Sequence, residues 1–284
     1  MKKQRKKYPL LESLLKLTRF GNLVIIAFAQ YFTAACLISF DRVWDLRLLI
    51  LSLSTVLIAA AGYIINDYYD VKIDYINKPE RVVVGRFVKR RFAILSHVIL
   101  SSLGIILGLF LHWKIGIINT FAVFSLWLYS NQLKRVAFIG NFTVAILTGL
   151  AILLVDFLYY AQNPLIVIYA SFAFFMTLIR EIIKDMEDLK GDNTFGCKTL
   201  PIVLGLRKTK VIIYLILAVF AAIVIVLNYF YQALPFHYYV FFLFVPLLVM
   251  LLWLIRADMK KDFSQLSLFC KAIMLLGIIS MAFV

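Results

Sequence analysis

The chain is poor in charged residues, cysteine, histidine and proline, and each shortage excludes a class of protein. Charged residues make up 16% of the 284 residues, against roughly 25% in a soluble globular domain. The three cysteines and three histidines are scattered without metal-ligand spacing, which excludes a thiolate or imidazole metal site and a Ser-His-Asp arrangement. The 6 prolines and 12 glycines form no linker, so we interpret residues 1–284 as a single domain.

Long apolar runs take the place of these missing features. Apolar residues make up 63% of the chain, and the runs reach the roughly 20 residues with which an α-helix crosses a hydrocarbon core. The pattern predicts an all-α integral membrane protein with nine transmembrane helices. The predicted spans are 21–40, 47–68, 92–112, 115–130, 141–160, 164–184, 210–230, 238–255 and 266–284.

Basic residues are concentrated on one side of this predicted topology. When the nine spans alternate in direction, all 30 Lys and Arg residues except Arg42, Arg47 and Lys114 fall on the same side. Cytoplasmic loops of membrane proteins are enriched in Lys and Arg, so we predict that this side is cytoplasmic. The topology accounts for the net charge of +15 without a nucleic-acid partner.

The first 19 residues form a basic segment of their own. Lysine and arginine dominate residues 2–7, and leucines at 10, 11, 14 and 15 follow with helical spacing. A helix of this kind lies in the plane of the membrane surface, where it contacts anionic lipids. We therefore predict an interfacial segment over 1–19 rather than a cleaved signal peptide.

Two acidic clusters share one internal spacing. The first cluster is Asn66, Asp67, Asp70 and Asp74, and the second is Asp185, Asp188 and Asp192. Carboxylates at i, i+3 and i+7 lie on one face of an α-helix, because each residue turns the chain by about 100°. Six carboxylates on one side of the membrane would repel one another, so they predict a metal site. We expect Gly191 to end the second helix, which would place Asp192 in a loop.

The donor set indicates the metal and the substrate. Carboxylate oxygens suit Mg²⁺, which commonly binds through a few carboxylates and substrate phosphates, and Mn²⁺ is also possible. Lysines and arginines beside the acids suit a diphosphate, and we select Arg81, Lys134 and Lys184 as candidates. The arrangement favours ionisation of an allylic prenyl diphosphate in a cavity between helices that excludes water.

The same residues resemble the UbiA family of intramembrane prenyltransferases. The family pattern Asn-Asp-x-x-Asp-x-x-x-Asp is matched at 66–74, and the second aspartate motif at 185–192. Residues 19–22 resemble the family's Arg-x-x-Asn entrance to its first helix, and residues 129–135 its Tyr and Lys signature. Residues 77–81 resemble the stretch whose arginine contacts the diphosphate in the family.

The resemblance implies nine helices bundled around a central cavity that opens to the cytoplasmic side. It implies metal binding by Asp67, Asp70, Asp74, Asp185, Asp188 and Asp192, with Asp67, Asp70 and Asp185 catalytic. It implies substrate binding by Asn22, Asn66, Arg81, Tyr129, Lys134 and Lys184. The expected partners are a prenyl diphosphate donor, a lipid or aromatic acceptor, and membrane lipids.

The identity of the acceptor stays open between two groups of compounds. Residues 180–192 most resemble geranylgeranylglycerol-phosphate geranylgeranyltransferases, so the predicted function is Mg-dependent prenyl transfer to geranylgeranylglycerol phosphate in ether-lipid synthesis. Residues 198–201 also resemble prenyltransferases that act on quinone precursors. The alternative acceptor is therefore an aromatic compound such as 1,4-dihydroxy-2-naphthoate or 4-hydroxybenzoate.

Three other interpretations of the acids are weaker. A transporter would carry acids at mid-membrane, whereas these cluster at one face and only Asp156 lies elsewhere within a predicted span. A CDP-alcohol phosphotransferase would carry an Asp-Gly pair, which this sequence lacks. Solvated helix ends would explain one acidic cluster, but two clusters with matching phase favour a site.

Overall fold

A computed structural model describes residues 10–80, 82–231, 235, 238 and 240–284 of the protein. These residues form helices joined by short connections, and their only β-type pairings are two isolated bridges. The α-helices are α1 (Leu10–Leu17), α2 (Phe20–Leu37), α3 (Leu46–Asn77), α4 (Arg90–Leu111), α5 (Trp113–Asn131), α6 (Ile139–Tyr159), α7 (Pro164–Thr194), α8 (Leu200–Tyr231), α9 (Val245–Arg256) and α10 (Lys260–Ser280). Three short 3-10 helices (Phe40–Trp44, Leu133–Arg135 and Met281–Phe283) and a π-helical turn (Val240–Phe244) complete the order.

The prediction of an all-helical membrane protein is confirmed, but the number of membrane crossings is not. Within the described residues, seven helices are long and apolar enough to cross a membrane: α2, α3, α4, α6, α7, α8 and α10. The segments in place of predicted spans 115–130 and 238–255 are also helical, as α5 and as the shorter apolar helix Val240–Arg256. Neither α5 nor Val240–Arg256 is among the helices that are long and apolar enough to cross a membrane. The count of nine membrane crossings therefore stays a prediction.

Side-chain caps fix where the two longest site helices begin. Asp45 accepts a hydrogen bond from the backbone N–H of Arg47 (2.9 Å) at the start of α3. Asn163 accepts one from Leu165 (2.9 Å) at the start of α7, where Pro164 occupies the first helical position. Both arrangements satisfy backbone donors that a helix leaves free at its N-terminus.

Both helices continue well beyond the apolar segments that predicted them. Helix α3 ends at Asn77 and α7 ends at Thr194, so all six aspartates lie on helices. The expectation that Gly191 ends the second helix is therefore wrong. This glycine lies inside α7, where its backbone N–H donates to the Asn77 Oδ1 (2.9 Å). The glycine allows the Asn77 side chain to approach the α7 backbone closely, because a β-carbon at this position would lie 2.4 Å from that side chain.

Helices α3 and α7 pack mainly against different neighbours. Helix α3 packs most extensively against α4, and also against α5 and α2. Helix α7 packs against α6, α10 and α8, and it is the most buried of the candidate membrane helices. The largest apolar core cluster lies between α7, α8, α9 and α10. These contacts hold the two acid-bearing helices in fixed positions.

The segment 1–19, predicted to be an interfacial helix, contains helix α1. It packs against α2 and α3, and Leu17 is 1% exposed in a cluster with Ile64 and Val83. Glu12 and Lys16 of the same helix line the central cavity. Its location at the membrane surface stays a prediction.

Candidate active site

A cavity of about 1070 Å³ lies between α2, α3, α5, α6, α7 and α10. This volume is at the upper end of the roughly 300–1,000 Å³ that ligand pockets occupy. Eleven of the twelve predicted site residues line it: Asn22, Asn66, Asp67, Asp70, Asp74, Tyr129, Lys134, Lys184, Asp185, Asp188 and Asp192. The twelfth, Arg81, lies outside the described residues. The fold therefore brings residues that are more than 100 positions apart to one cavity.

The two acidic stripes face each other across this cavity. Asp74 on α3 and Asp188 on α7 are near enough for their charges to repel, and so are Asp70 and Asp192. Lys78, the residue after α3, joins the two sides because its Nζ donates to Asp188 (2.8 Å). The sequence analysis did not select Lys78, since its partner is 110 residues away.

Arg19 holds the first carboxylate of the α3 stripe. Its guanidinium donates to Asp67 (3.0 Å) and stacks over the ring of Tyr63 at 4.9 Å. Burial opposes its charge, but Asp67, Tyr63 and Glu181 together more than offset this, so the pKa of Arg19 is raised above its ordinary value. The residue sits in a left-handed conformation (φ 51°) at the turn before α2, which aims it at the cavity.

Asn22 lies one turn into α2, beside the same tyrosine. Its Nδ2 donates to the Tyr63 hydroxyl (3.2 Å), and its Oδ1 accepts from Lys271 of α10 (2.9 Å). Asn22 therefore links α2 to both α3 and α10 at the wall of the cavity.

Lys134 forms an ion pair with Asp70 in the middle of the α3 stripe. It is carried by the 3-10 turn Leu133–Arg135, which packs against the start of α6 at Gly140. A β-carbon at Gly140 would lie 2.8 Å from the α-carbon of Lys134, so the close packing requires glycine. The turn is also tied to the α7–α8 connection, because Lys198 N donates to Arg135 O (2.8 Å).

Asn141 positions the first carboxylate of the α7 stripe. Its Nδ2 donates to Asp185 Oδ2 (2.8 Å), and the side chain is buried at the start of α6. The sequence shows Asn141 only as part of an Asn-Phe-Thr glycosylation sequon, which we interpret as chance, so its contact with Asp185 was missed. The contact leaves the second Asp185 oxygen directed elsewhere.

Glu181 lies one turn before Asp185 and is paired with two cations. Lys184 Nζ donates to Glu181 Oε2 (2.8 Å), and Arg180 donates to Glu181 Oε1 (2.8 Å). Glu181 is only 8% exposed, and a buried carboxylate needs such partners. Lys184, predicted to bind substrate, thus lies in the cavity but pairs with Glu181.

The donor chemistry of the cavity fits a hard divalent cation. All six carboxylates lie on its wall, and Asp188 Oδ1 is buried with no hydrogen-bond partner among the described residues. Within the described part of the chain, no three acids, histidines or cysteines stand close enough together to hold a metal. Arg19, Lys78 and Lys134 instead neutralise the carboxylates. A metal would draw its ligands from both walls.

The family model of the UbiA prenyltransferase family matches residues 23–273, which is most of the chain. The protein belongs to this family. The chain is therefore a membrane prenyltransferase, which rules out the interpretation as a transporter.

Curated relatives of similar length come from archaea. The chain is 33% identical over 241 residues to the digeranylgeranylglyceryl phosphate synthase of Methanosphaera stadtmanae, which covers 84% of this chain and 88% of the relative. It is 31% identical over 282 residues to the synthase of that name from Methanobrevibacter smithii, with 94% and 95% covered. The corresponding protein of Saccharolobus solfataricus is 36% identical over 216 residues, with 74% and 76% covered.

Solved structures share the fold. A digeranylgeranylglyceryl phosphate synthase structure matches with a TM-score of 0.72 and 26% identity, covering 96% of this chain and 97% of that one. A UbiA homologue from Archaeoglobus fulgidus, bound to GPP and Mg²⁺, matches with a TM-score of 0.60 and 15% identity over 96% of this chain and all of that one. At this lower identity the likeness concerns the fold alone.

Proposed function

We propose that this protein transfers a prenyl group from an allylic prenyl diphosphate to geranylgeranylglycerol phosphate, with Mg²⁺ as the metal. The observation that carries the proposal is the pair of acidic stripes that face each other in a cavity between candidate membrane helices. Relatives named digeranylgeranylglyceryl phosphate synthase support the choice of acceptor. The positive side of the predicted topology supports a cavity that opens to the cytoplasm.

The two stripes supply the site for the diphosphate. The carboxylates of the two stripes would hold a divalent ion, whose positive charge would stabilise the negative charge that develops on the leaving group. Arg19, Lys78 and Lys134 lie on the same carboxylates and are placed to donate to the remaining anionic oxygens. Charged donors of this kind stabilise a leaving group most when they are already oriented.

The reaction breaks the bond between C1 of the prenyl chain and the diphosphate oxygen, which keeps the electron pair. The acceptor hydroxyl then forms a bond to C1 and loses its proton. Apolar side chains on three helices, Ile58, Leu147 and Phe172, line the cavity beyond the charged region. They exclude water from the carbocation and leave room for the apolar tails of donor and acceptor.

A product assay tests this function. Purified protein in detergent receives geranylgeranyl diphosphate, Mg²⁺ and one of three acceptors: geranylgeranylglycerol phosphate, 1,4-dihydroxy-2-naphthoate or 4-hydroxybenzoate. We expect digeranylgeranylglyceryl phosphate from the first acceptor and little product from the others. A prenylated naphthoate or benzoate as the main product would reassign the acceptor, and no prenylated product from any acceptor would refute the proposal.

A further inference from the structure

A second charged group lies in the cavity beside the acidic stripes. Arg19, Arg180, Lys184 and Lys271 face two carboxylates there, Glu181 and Asp67. These cations outnumber the two carboxylates, and the next acid along α7 is Asp185 of the acidic stripe. Inside a protein, where charges are poorly screened, such an excess favours a bound anion.

Two hydrogen-bond donors on α7 point to the same missing ligand. The Thr177 hydroxyl and the Arg180 Nε are buried, line the cavity and have no partner among the described residues. Thr177 and Arg180 are three residues apart, so they are neighbours on one face of the helix. Buried donors in native structures are nearly always paired, so these two indicate an acceptor that the described residues do not provide.

Thr177 is unlike other threonines on the helices of this protein. Thr120 donates to Gly116 O (2.8 Å) and Thr148 donates to Val144 O (2.9 Å), which satisfies each hydroxyl within its own helix. Thr177 makes no such bond within the described residues, although it is only 4% exposed. Its hydroxyl is thus available to a ligand in the cavity.

We propose that Thr177, Arg180, Lys184 and Lys271 form a second anion subsite, which holds the phosphate group of the acceptor lipid. This inference rests on the proposed function. A phosphate monoester carries about two negative charges at neutral pH and three strong acceptor oxygens, which suits two unpaired donors beside a group of cations. The aromatic acceptors carry a single carboxylate, which offers less charge and fewer acceptor oxygens.

The spacing along α7 agrees with this assignment. Arg180 and Thr177 precede Asp185 by five and eight residues, which is roughly 7–12 Å at 1.5 Å per residue. The acceptor oxygen must approach the prenyl C1 to roughly 3–3.5 Å for reaction. A donor diphosphate at the aspartates and an acceptor phosphate at Arg180 would thus leave space between them for the reacting atoms.

Lys271 closes the subsite from α10. Its Nζ donates to Asn22 Oδ1 (2.9 Å), and it lies near the middle of a candidate membrane helix. A lysine at that depth is costly unless it serves a function. Asn22 thereby holds a cation from α10 at the wall of the cavity that Thr177, Arg180 and Lys184 also line.

Equilibrium binding in detergent, without donor, tests the subsite. The ligands are geranylgeranylglycerol phosphate and the same lipid without its phosphate, measured by calorimetry. Loss of one hydrogen bond to a charged group weakens binding by about 10- to 100-fold. We expect Thr177→Val and Arg180→Gln to weaken binding of the phosphorylated lipid by about this factor and to leave binding of the phosphate-free lipid unchanged.

Two controls separate this role from others. Thr148→Val removes a cavity-lining hydroxyl that is already paired within its helix. This variant should therefore bind both lipids with the same affinity as the wild-type protein. Binding of a non-hydrolysable prenyl thiodiphosphate with Mg²⁺ should be unchanged in Thr177→Val, which is isosteric and folds even if Arg180→Gln does not. An equal loss of donor-analogue binding, or unchanged discrimination between the two lipids, would overturn the subsite.

The two proposals can fail separately. Phosphate-dependent lipid binding that Thr177→Val weakens, without any prenylated glycerol phosphate as product, would support the subsite and refute the proposed function. Formation of prenylated glycerol phosphate, together with unchanged lipid binding in Thr177→Val, would support the proposed function and refute the subsite.

Discussion

Gly191→Ala tests whether the contact between the ends of α3 and α7 sets the distance between the acidic stripes. The new β-carbon would lie 2.4 Å from the oxygen and nitrogen of the Asn77 side chain. Ordinary contacts begin at 3.4 Å, so either the Asn77 amide rotates away or the two helix ends separate by about 1 Å, and we expect the second because Asn77 is buried. The same movement weakens the hydrogen bond from Gly191 N to Asn77 Oδ1.

The size of the effect follows from these contacts. Overpacking costs about 1–3 kcal/mol and a lost hydrogen bond about 0.5–1.5 kcal/mol, while alanine regains up to about 1 kcal/mol of helix propensity. We expect the free energy of unfolding to fall by about 1–3 kcal/mol. Misplacement of reacting groups by 1 Å can cost about 100-fold in rate, so activity should fall more than stability alone explains.

Denaturation in mixed micelles and product formation at saturating substrates measure the two effects. The double variant Asn77→Ala/Gly191→Ala should lose less stability than the sum of the single variants, because both changes act on one contact. Gly21→Ala is the matched control for stability, since a β-carbon there meets no atom within 4 Å. Wild-type stability and turnover in Gly191→Ala, or strictly additive losses in the double variant, would refute the reasoning.

Three further predictions concern the metal and its ligands. Asp67→Ala and Asp185→Ala should each lower turnover by at least about 100-fold while the protein stays folded by its melting curve, and near-wild-type turnover in either would remove that residue from the mechanism. Excess chelator should abolish turnover and added Mg²⁺ should restore it, whereas full activity in chelator would contradict a metal-dependent reaction. Asn141→Ala should raise the Mg²⁺ concentration for half-maximal activity by about 10-fold or more, because Asp185 loses its 2.8 Å hydrogen bond; an unchanged Mg²⁺ dependence would show that this contact is only structural.

The helices and the acidic stripes could be predicted because both are local properties of the chain. Apolar runs of membrane length mark the helices, and the i, i+3, i+7 spacing places each set of aspartates on one helix face. The helix ends could not be predicted from hydropathy. Backbone hydrogen bonding continues through the polar turns that reach Asn77 and Thr194, although the apolar signal stops earlier.

The partners of the aspartates could not be predicted, because they come from distant parts of the chain. Lys78 reaches Asp188 across 110 residues, and Asn141 reaches Asp185 across 44. The role of Gly191 could not be predicted either, because a glycine that ends a helix and a glycine that permits close packing look alike in a sequence. Only the fold shows that Gly191 meets Asn77, 114 residues away.

The central claim is that the stripes on α3 and α7 bind one metal–diphosphate group together. Its most direct test is the Mg²⁺-dependent affinity for a prenyl thiodiphosphate in Asp74→Asn, Asp192→Asn and the double variant. The account predicts a loss of about 10-fold or more in each single variant and little further loss in the double variant, because both carboxylates serve the same bound group. Independent, additive losses, or unchanged affinity when either stripe is altered, would contradict it.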